Sequence, residues 1–146
     1  IYEAAGVEND HSKQPDHSNA GFSYIVPFAP LSGKSSEELL SITKTVARQY
    51  GFNPGVTLNI VNPKTLEAVI SIEFDKSDVE QTARAKICTR LLIRRFLKRG
   101  FSPYRIDINN MDLILNKEDP FWKTARDLKI SLDPNNIISP GRYNII

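Results

Sequence analysis

The residues with most to say about chemistry lie at the end of the chain, in Asp133-Pro134-Asn135-Asn136-Ile137-Ile138-Ser139-Pro140-Gly141-Arg142. Ser139-Pro140-Gly141-Arg142 suits a type II turn. Proline presets φ at the second position and glycine accepts a positive φ at the third. Such a turn holds the guanidinium of Arg142 in one place, where a fixed cation can meet an anion. The plainer reading is a C-terminal tail tied down by turns. Other chemistry is scarce. With one cysteine, Cys88, an internal disulfide and a thiolate zinc cage are excluded. The two histidines, His11 and His17, cannot make an HExxH zinc site. None of the seven glycines belongs to a G-x-G phosphate loop. Cys88 follows Ile87 on the apolar side of a predicted helix and reads as a core thiol.

These residues need a scaffold, and the composition permits one. The chain has 146 residues, 40% hydrophobic and 25% charged, as expected of one globular domain. Lysine and arginine number 19 against 17 acidic residues, a net charge of +2, too balanced to call for nucleic acid or an anionic membrane. No apolar run approaches a membrane span, and the first twenty residues lack a signal-peptide core. The compartment is left open. The first residue is Ile1, so either the start has been processed or the chain is a piece of a longer one.

Residues 1–20 read as a polar arm or linker. Phe22, Tyr24 and Val26 alternate with Ser23 and Ile25 ahead of Pro27, which predicts a strand. Ser35 and Glu38 suit a capping box. Leu39, Ile42, Thr43, Val46 and Tyr50 then recur at helical spacing up to Gly51. Val56, Leu58 and Ile60 predict a second strand. Asn62-Pro63 marks a turn, and Ala68, Ile70, Ile72 and Phe74 predict a third strand. Ser77 and Glu80 suggest another cap, before a helix buried through Ala83, Ile87, Leu91, Leu92 and Phe96 and ended by Gly100. Tyr104, Ile106 and Ile108 predict a last strand. The order βαββαβ is the ferredoxin-like arrangement, so the expected fold class is α+β, an antiparallel sheet with two helices on one face. A helical extension follows: Asp119-Pro120 opens a helix with Phe121, Ala125, Leu128 and Leu132 as its apolar stripe.

The closing segment resembles the C-terminal signature of the vanillyl-alcohol oxidase / p-cresol methylhydroxylase family of FAD-linked oxidases. Earlier stretches resemble that family in the same order. They are Phe22 to Pro30, Tyr50-Gly51-Phe52, and Gly100-Phe101 through Tyr104-Arg105 to Met111-Asp112. The resemblance covers about residues 21–143. It implies the C-terminal portion of a larger flavoenzyme, inactive alone, with FAD bound mainly by sequence outside this chain. Residues 21–108 would form a cap-type domain, and 109–146 an extension docking on an N-terminal FAD-binding domain of the same or a separate chain.

The resemblance also assigns residues. Tyr104 and Arg105 match the pair that meets the phenolic oxygen of a small aromatic substrate. A phenol is neutral at pH 7. Stabilising its phenolate pushes electrons into the ring, so that hydride can leave the para benzylic carbon for the flavin. Arg142 matches a cation beside the flavin N1–C2=O edge, where it favours the reduced anionic form. His17, or His11, occupies the region where some members attach FAD covalently. The family often carries a His-His or Glu/His set on the strand pair near 57–68. Here Thr57 to Val61 and Thr65 to Ala68 contain no histidine, which leaves the substrate and the general base unassigned.

Strand physics alone opposes the pair: neighbours on an ideal strand face opposite ways, which would bury Tyr104 and pair Arg105 with Asp107. A bend at Pro103 would be needed to make them converge. An alternative reading is a free-standing ligand- or RNA-binding module. Lys98-Arg99-Gly100-Phe101 matches the opening of an RNP1 motif, and RRM domains share the βαββαβ order. The electron acceptor and oligomeric state are not legible.

Overall fold

A computed structural model describes residues 18–143. These divide into two compact units that part between Arg105 and Ile106.

The first unit contains β1 (Ala20–Ile25), β2 (Pro27–Pro30), α1 (Gly33–Gln49), β3 (Gly55–Asn62), β4 (Thr65–Asp75), α2 (Val79–Lys98) and the short β5 (Ser102–Pro103). All pairings are antiparallel and β4 is the hub. β3 lies along one edge of β4. β1 and β2 run along the other as one strand interrupted at Val26, with Ile25 opposite Ile70 and Phe28 opposite Glu67. β5 adds to β2. This is the ferredoxin-like strand order, and the α+β class holds.

Alternation along β4 builds the core. Leu66, Ala68, Ile70 and Ile72 are buried toward α1 and α2, while Glu67, Ser71 and Glu73 face the other way. Leu39, Thr43, Val46 and Ala47 of α1 fill one side of that core. The Thr43 hydroxyl is satisfied by donating to the Leu39 carbonyl at 2.7 Å. Burying a side chain such as Leu39, Ile70, Leu92 or Phe96 contributes about 1.5–3 kcal/mol each. Cys88 lies in this core, and burial pushes its thiol up to about 11.

Several local expectations need correcting. α1 starts at Gly33, capped by Ser32, whose hydroxyl accepts from the Ser35 amide at 3.1 Å. α2 is capped by Asp78, whose carboxylate accepts from the Gln81 amide at 2.9 Å. Beside it, Ser77 donates its hydroxyl to Asp75 instead. A carboxylate outdoes a hydroxyl at a positive helix end. The buried stripe of α2 is Ala85, Cys88, Thr89, Leu92, Ile93 and Phe96, while Ala83 and Ile87 are exposed. Both stripes have helical spacing; packing on the sheet selects between them. Gly51 and Gly100 follow their helices at φ +78 and +76, as positive-φ helix stops.

The largest difference concerns the last strand. Pairing ends at Pro103, not at Ile108, because proline carries no N–H for the ladder and its partner β2 is bounded by Pro27 and Pro30. Tyr104 makes one more bond, its amide donating to the Val26 carbonyl at 2.7 Å, and the chain then bends away.

The second unit holds a 3₁₀ segment (Ile108–Leu113), α3 (Pro120–Leu132) and the closing loop. Asp107 caps the 3₁₀ segment, and Asp119 caps α3 ahead of Pro120. The expected stripe of α3 is not buried: Phe121, Leu128 and Leu132 are exposed.

Candidate functional site

The face of the sheet away from the helices carries most of the candidate chemistry. Alternation brings Phe22, Tyr24 and Phe28 to that face, together with Glu67, Val69, Ser71 and Glu73 of β4. Phe22 stacks on Tyr24 with ring centroids 6.1 Å apart. Phe28 receives Tyr104 edge-on at 5.5 Å. The result is an aromatic row crossed by carboxylates.

Tyr104 and Arg105 converge at the end of that row. The break after Pro103 ends the regular alternation, and the Arg105 guanidinium lies over the Tyr104 ring, 5.5 Å from its centroid. Tyr104 is 56% exposed and Arg105 is exposed, so neither is core. An exposed tyrosine and the guanidinium over its ring thus share an open surface, and donors of these two kinds can hold an anionic oxygen.

Sequence reasoning found no base on the strand pair. The signal that locates a carboxylate is the period-two alternation of β4, which turns Glu67 to the open face. It stands opposite Phe28 on β2 and Asn59 on β3, and Asn59 donates its side-chain amide to the Glu67 carboxylate at 3.2 Å.

The second set belongs to the other unit. The turn at Ser139–Arg142 forms: the Arg142 amide donates to the Ser139 carbonyl at 3.1 Å and Gly141 has φ +77. A Cβ on Gly141 would come within 3.2 Å of the Ile108 side chain, so this turn needs glycine for both conformation and space. Arg142 itself is exposed.

The chain's fit to FAD is partial. The described glycines serve helix ends, strands and turns, and none forms a phosphate cradle. The pyrophosphate therefore has no seat among the described residues, and Arg142 offers an exposed cation on a turn of defined backbone. His11 and His17 lie outside the described residues. Among the described residues no three His, Cys, Asp or Glu side chains group to hold a metal, and no helix is long and apolar enough to cross a membrane. The crevice among Ile25, Pro27, Ile93, Phe96, Phe101 and Pro103 has room only for a water-sized sphere and is not a substrate pocket. Lys98-Arg99-Gly100-Phe101 closes a helix, with Phe101 buried, and so presents no strand-borne ring for a base to stack on.

No family model matches the chain. Among characterised proteins it is similar to the 4-cresol dehydrogenase [hydroxylating] flavoprotein subunit of Pseudomonas putida, with 30% identity over 126 residues, 86% of this chain and 24% of that protein. It is also similar to the 1'-carboxy-chondrochloren decarboxylase of Chondromyces crocatus, 26% identical over 130 residues, 89% of this chain and 24% of that protein. Among solved structures, the 4-ethylphenol oxidase of Gulosibacter chungangensis, in complex with isoeugenol, superposes with a TM-score of 0.77 at 22% identity, over 87% of this chain and 25% of that one. The chain spans about a quarter of the length of these relatives.

Proposed function

Since this chain corresponds to a C-terminal portion of a vanillyl-alcohol oxidase / p-cresol methylhydroxylase family oxidase, we propose that it supplies the substrate-binding face of an FAD-dependent enzyme. That enzyme takes hydride from a para-substituted phenol or a related alcohol. The observation that carries the reading is the convergence of Tyr104 and Arg105 beside the aromatic row. FAD, held mainly by the rest of a longer chain or by a separate subunit, would supply the hydride acceptor.

Phe28 and Tyr104, packed edge to face on each other, offer one aromatic surface on which a flat substrate ring can lie. Tyr104 and Arg105 donate to the phenolic oxygen and stabilise it as phenolate once its proton has passed to solvent water at this open face. Their value is greatest when the negative charge develops during reaction, since both are already in place. Electron release from that oxygen into the ring weakens the benzylic C–H bond. Glu67 places a carboxylate on the same face to accept a proton from the substrate side chain or from water. Arg142 stands as the cation for the flavin N1–C2=O edge. Residues 109–146 are the part that docks on the FAD-binding portion.

The test is anaerobic mixing of the full-length FAD-loaded protein with para-alkylphenols and with their methyl ethers. The phenols should bleach the flavin absorbance and the ethers should not, because an ether cannot become a phenolate. Equal bleaching by both, or by neither, would refute the reading.

A further inference from the structure

Asp133 stands at the C-terminal end of α3, where a negative charge opposes the helix dipole, so the helix does not account for it. It is 6% exposed. Its carboxylate accepts from the Ile137 amide at 2.9 Å, from the Ile138 amide at 2.8 Å and from the Lys129 ammonium. The same ammonium donates to the Ile138 carbonyl at 2.5 Å. Both ends of residue 138 are therefore gripped, and the turn carrying Arg142 starts at the next residue.

That stretch is also strained. Asn136, Ser139 and Tyr143 have φ of +50, +46 and +48 without being glycine. Such conformations cost about 1 kcal/mol or more each and persist where surrounding bonds over-determine them. Past the grip, the proline ring limits position 140 and Gly141 packs on Ile108. Little freedom is left between Lys129 and Arg142.

We propose that Asp133 and Lys129 are positioning residues: a clamp that fixes the closing loop so that the Arg142 guanidinium is presented at one place. This rests on the reading of Arg142 as the flavin-edge cation, and the test separates the two.

The probe is sulfite, which adds reversibly to flavin N5 and binds more tightly when a cation neighbours N1. It is titrated against the full-length FAD-loaded protein and its variants Arg142→Ala, Asp133→Asn, Lys129→Met and the double variant Asp133→Asn/Arg142→Ala. Arg142→Ala should weaken sulfite binding about tenfold. Asp133→Asn and Lys129→Met should each weaken it about three- to tenfold, and the double variant should be no weaker than Arg142→Ala alone. Amide exchange at Ile137 and Ile138 should quicken in both clamp variants. If Arg142→Ala leaves sulfite affinity unchanged, the reading of Arg142 fails and the clamp inference falls with it. If Arg142→Ala weakens binding but the clamp variants stay within twofold of the parent, only the clamp inference fails. Full additivity of Asp133→Asn with Arg142→Ala also sinks it, since a group acting through Arg142 has nothing to position once Arg142 is gone. Should Asp133→Asn not fold, Lys129→Met, which removes only the ammonium tying Asp133 to the Ile138 carbonyl and so loosens the loop, decides the matter by the same sulfite and exchange measurements.

Discussion

Replacing Arg105 by alanine separates a structural role from a chemical one, because the structure bounds the first tightly. The guanidinium is exposed and its ring contact is Tyr104, 5.5 Å from the centroid. An exposed cation–π contact of this kind is worth about 0.5–1 kcal/mol. The folding loss from Arg105→Ala should therefore stay near 1 kcal/mol, a melting shift of a few degrees at most. The chemical cost is larger. A cation about 4 Å from a developing phenolate contributes about 4 kcal/mol at an effective dielectric of 20. That corresponds to about a thousandfold in rate. Arg105→Lys keeps the charge and loses the planar fork, and should fall between. The assay is the single-turnover rate of flavin reduction by a para-alkylphenol in the full-length FAD-loaded protein, with thermal unfolding measured on the same samples. A reduction rate within threefold of the parent, with a normal melt, would refute the reasoning. So would a melt depressed by ten degrees or more, which would make Arg105 a structural residue.

Three further outcomes are expected. Glu67→Gln should fold normally, since Asn59 can still donate to the amide oxygen, yet should lower turnover by about a hundredfold or more; unchanged turnover excludes Glu67 from proton transfer. The Cys88 thiol is raised by burial, so its contribution to stability is complete below about pH 9 and falls as pH climbs toward 11. Denaturant titrations at pH 8 and pH 10.5 should show that loss in the parent and less of it in Cys88→Ala. Gly100→Ala, whose Cβ would meet no atom within 4 Å, should cost about 1 kcal/mol through its φ of +76 alone, read as a shift in urea midpoint.

Legibility in the sequence followed the range of the forces involved. The hairpin of β3 and β4, the helix stops at Gly51 and Gly100 and the turn at Ser139–Arg142 depend on residues a few positions apart, and all are where their local chemistry puts them. Faces were harder. Leu92, Phe96 and Cys88 are buried as their spacing suggests, but the sheet takes Ala85, Thr89 and Ile93 rather than Ala83 and Ile87, a choice made only when α2 packs. Tyr24 sits 62% exposed on the open face while Ile25 is buried, since only the position of the helices decides which half of an alternating strand is inside. The site shows the same division. Pro103 announced a break in the last strand, but that the break lays Arg105 over Tyr104, and Tyr104 against Phe28 some 76 positions earlier, depends on β2 pairing with β5. Glu67 was visible as a residue and became a candidate only through its register opposite Phe28. The clamp at Asp133 was likewise hidden, because an aspartate before proline reads as an ordinary turn former.

The central claim is that Tyr104 and Arg105 hold a phenolate. It is tested most directly by the ionisation of a bound phenol. A chromophoric para-substituted phenol that is not a substrate is titrated with acid while bound to the full-length FAD-loaded protein, with its absorbance reporting phenolate. The account predicts a bound pKa about one to three pH units below the free value, as an adjacent cation and donor hydrogen bonds would cause, and a return toward the free value in Arg105→Ala. A bound phenol that titrates at its free value, or one whose lowered pKa is unaffected by Arg105→Ala, would contradict it.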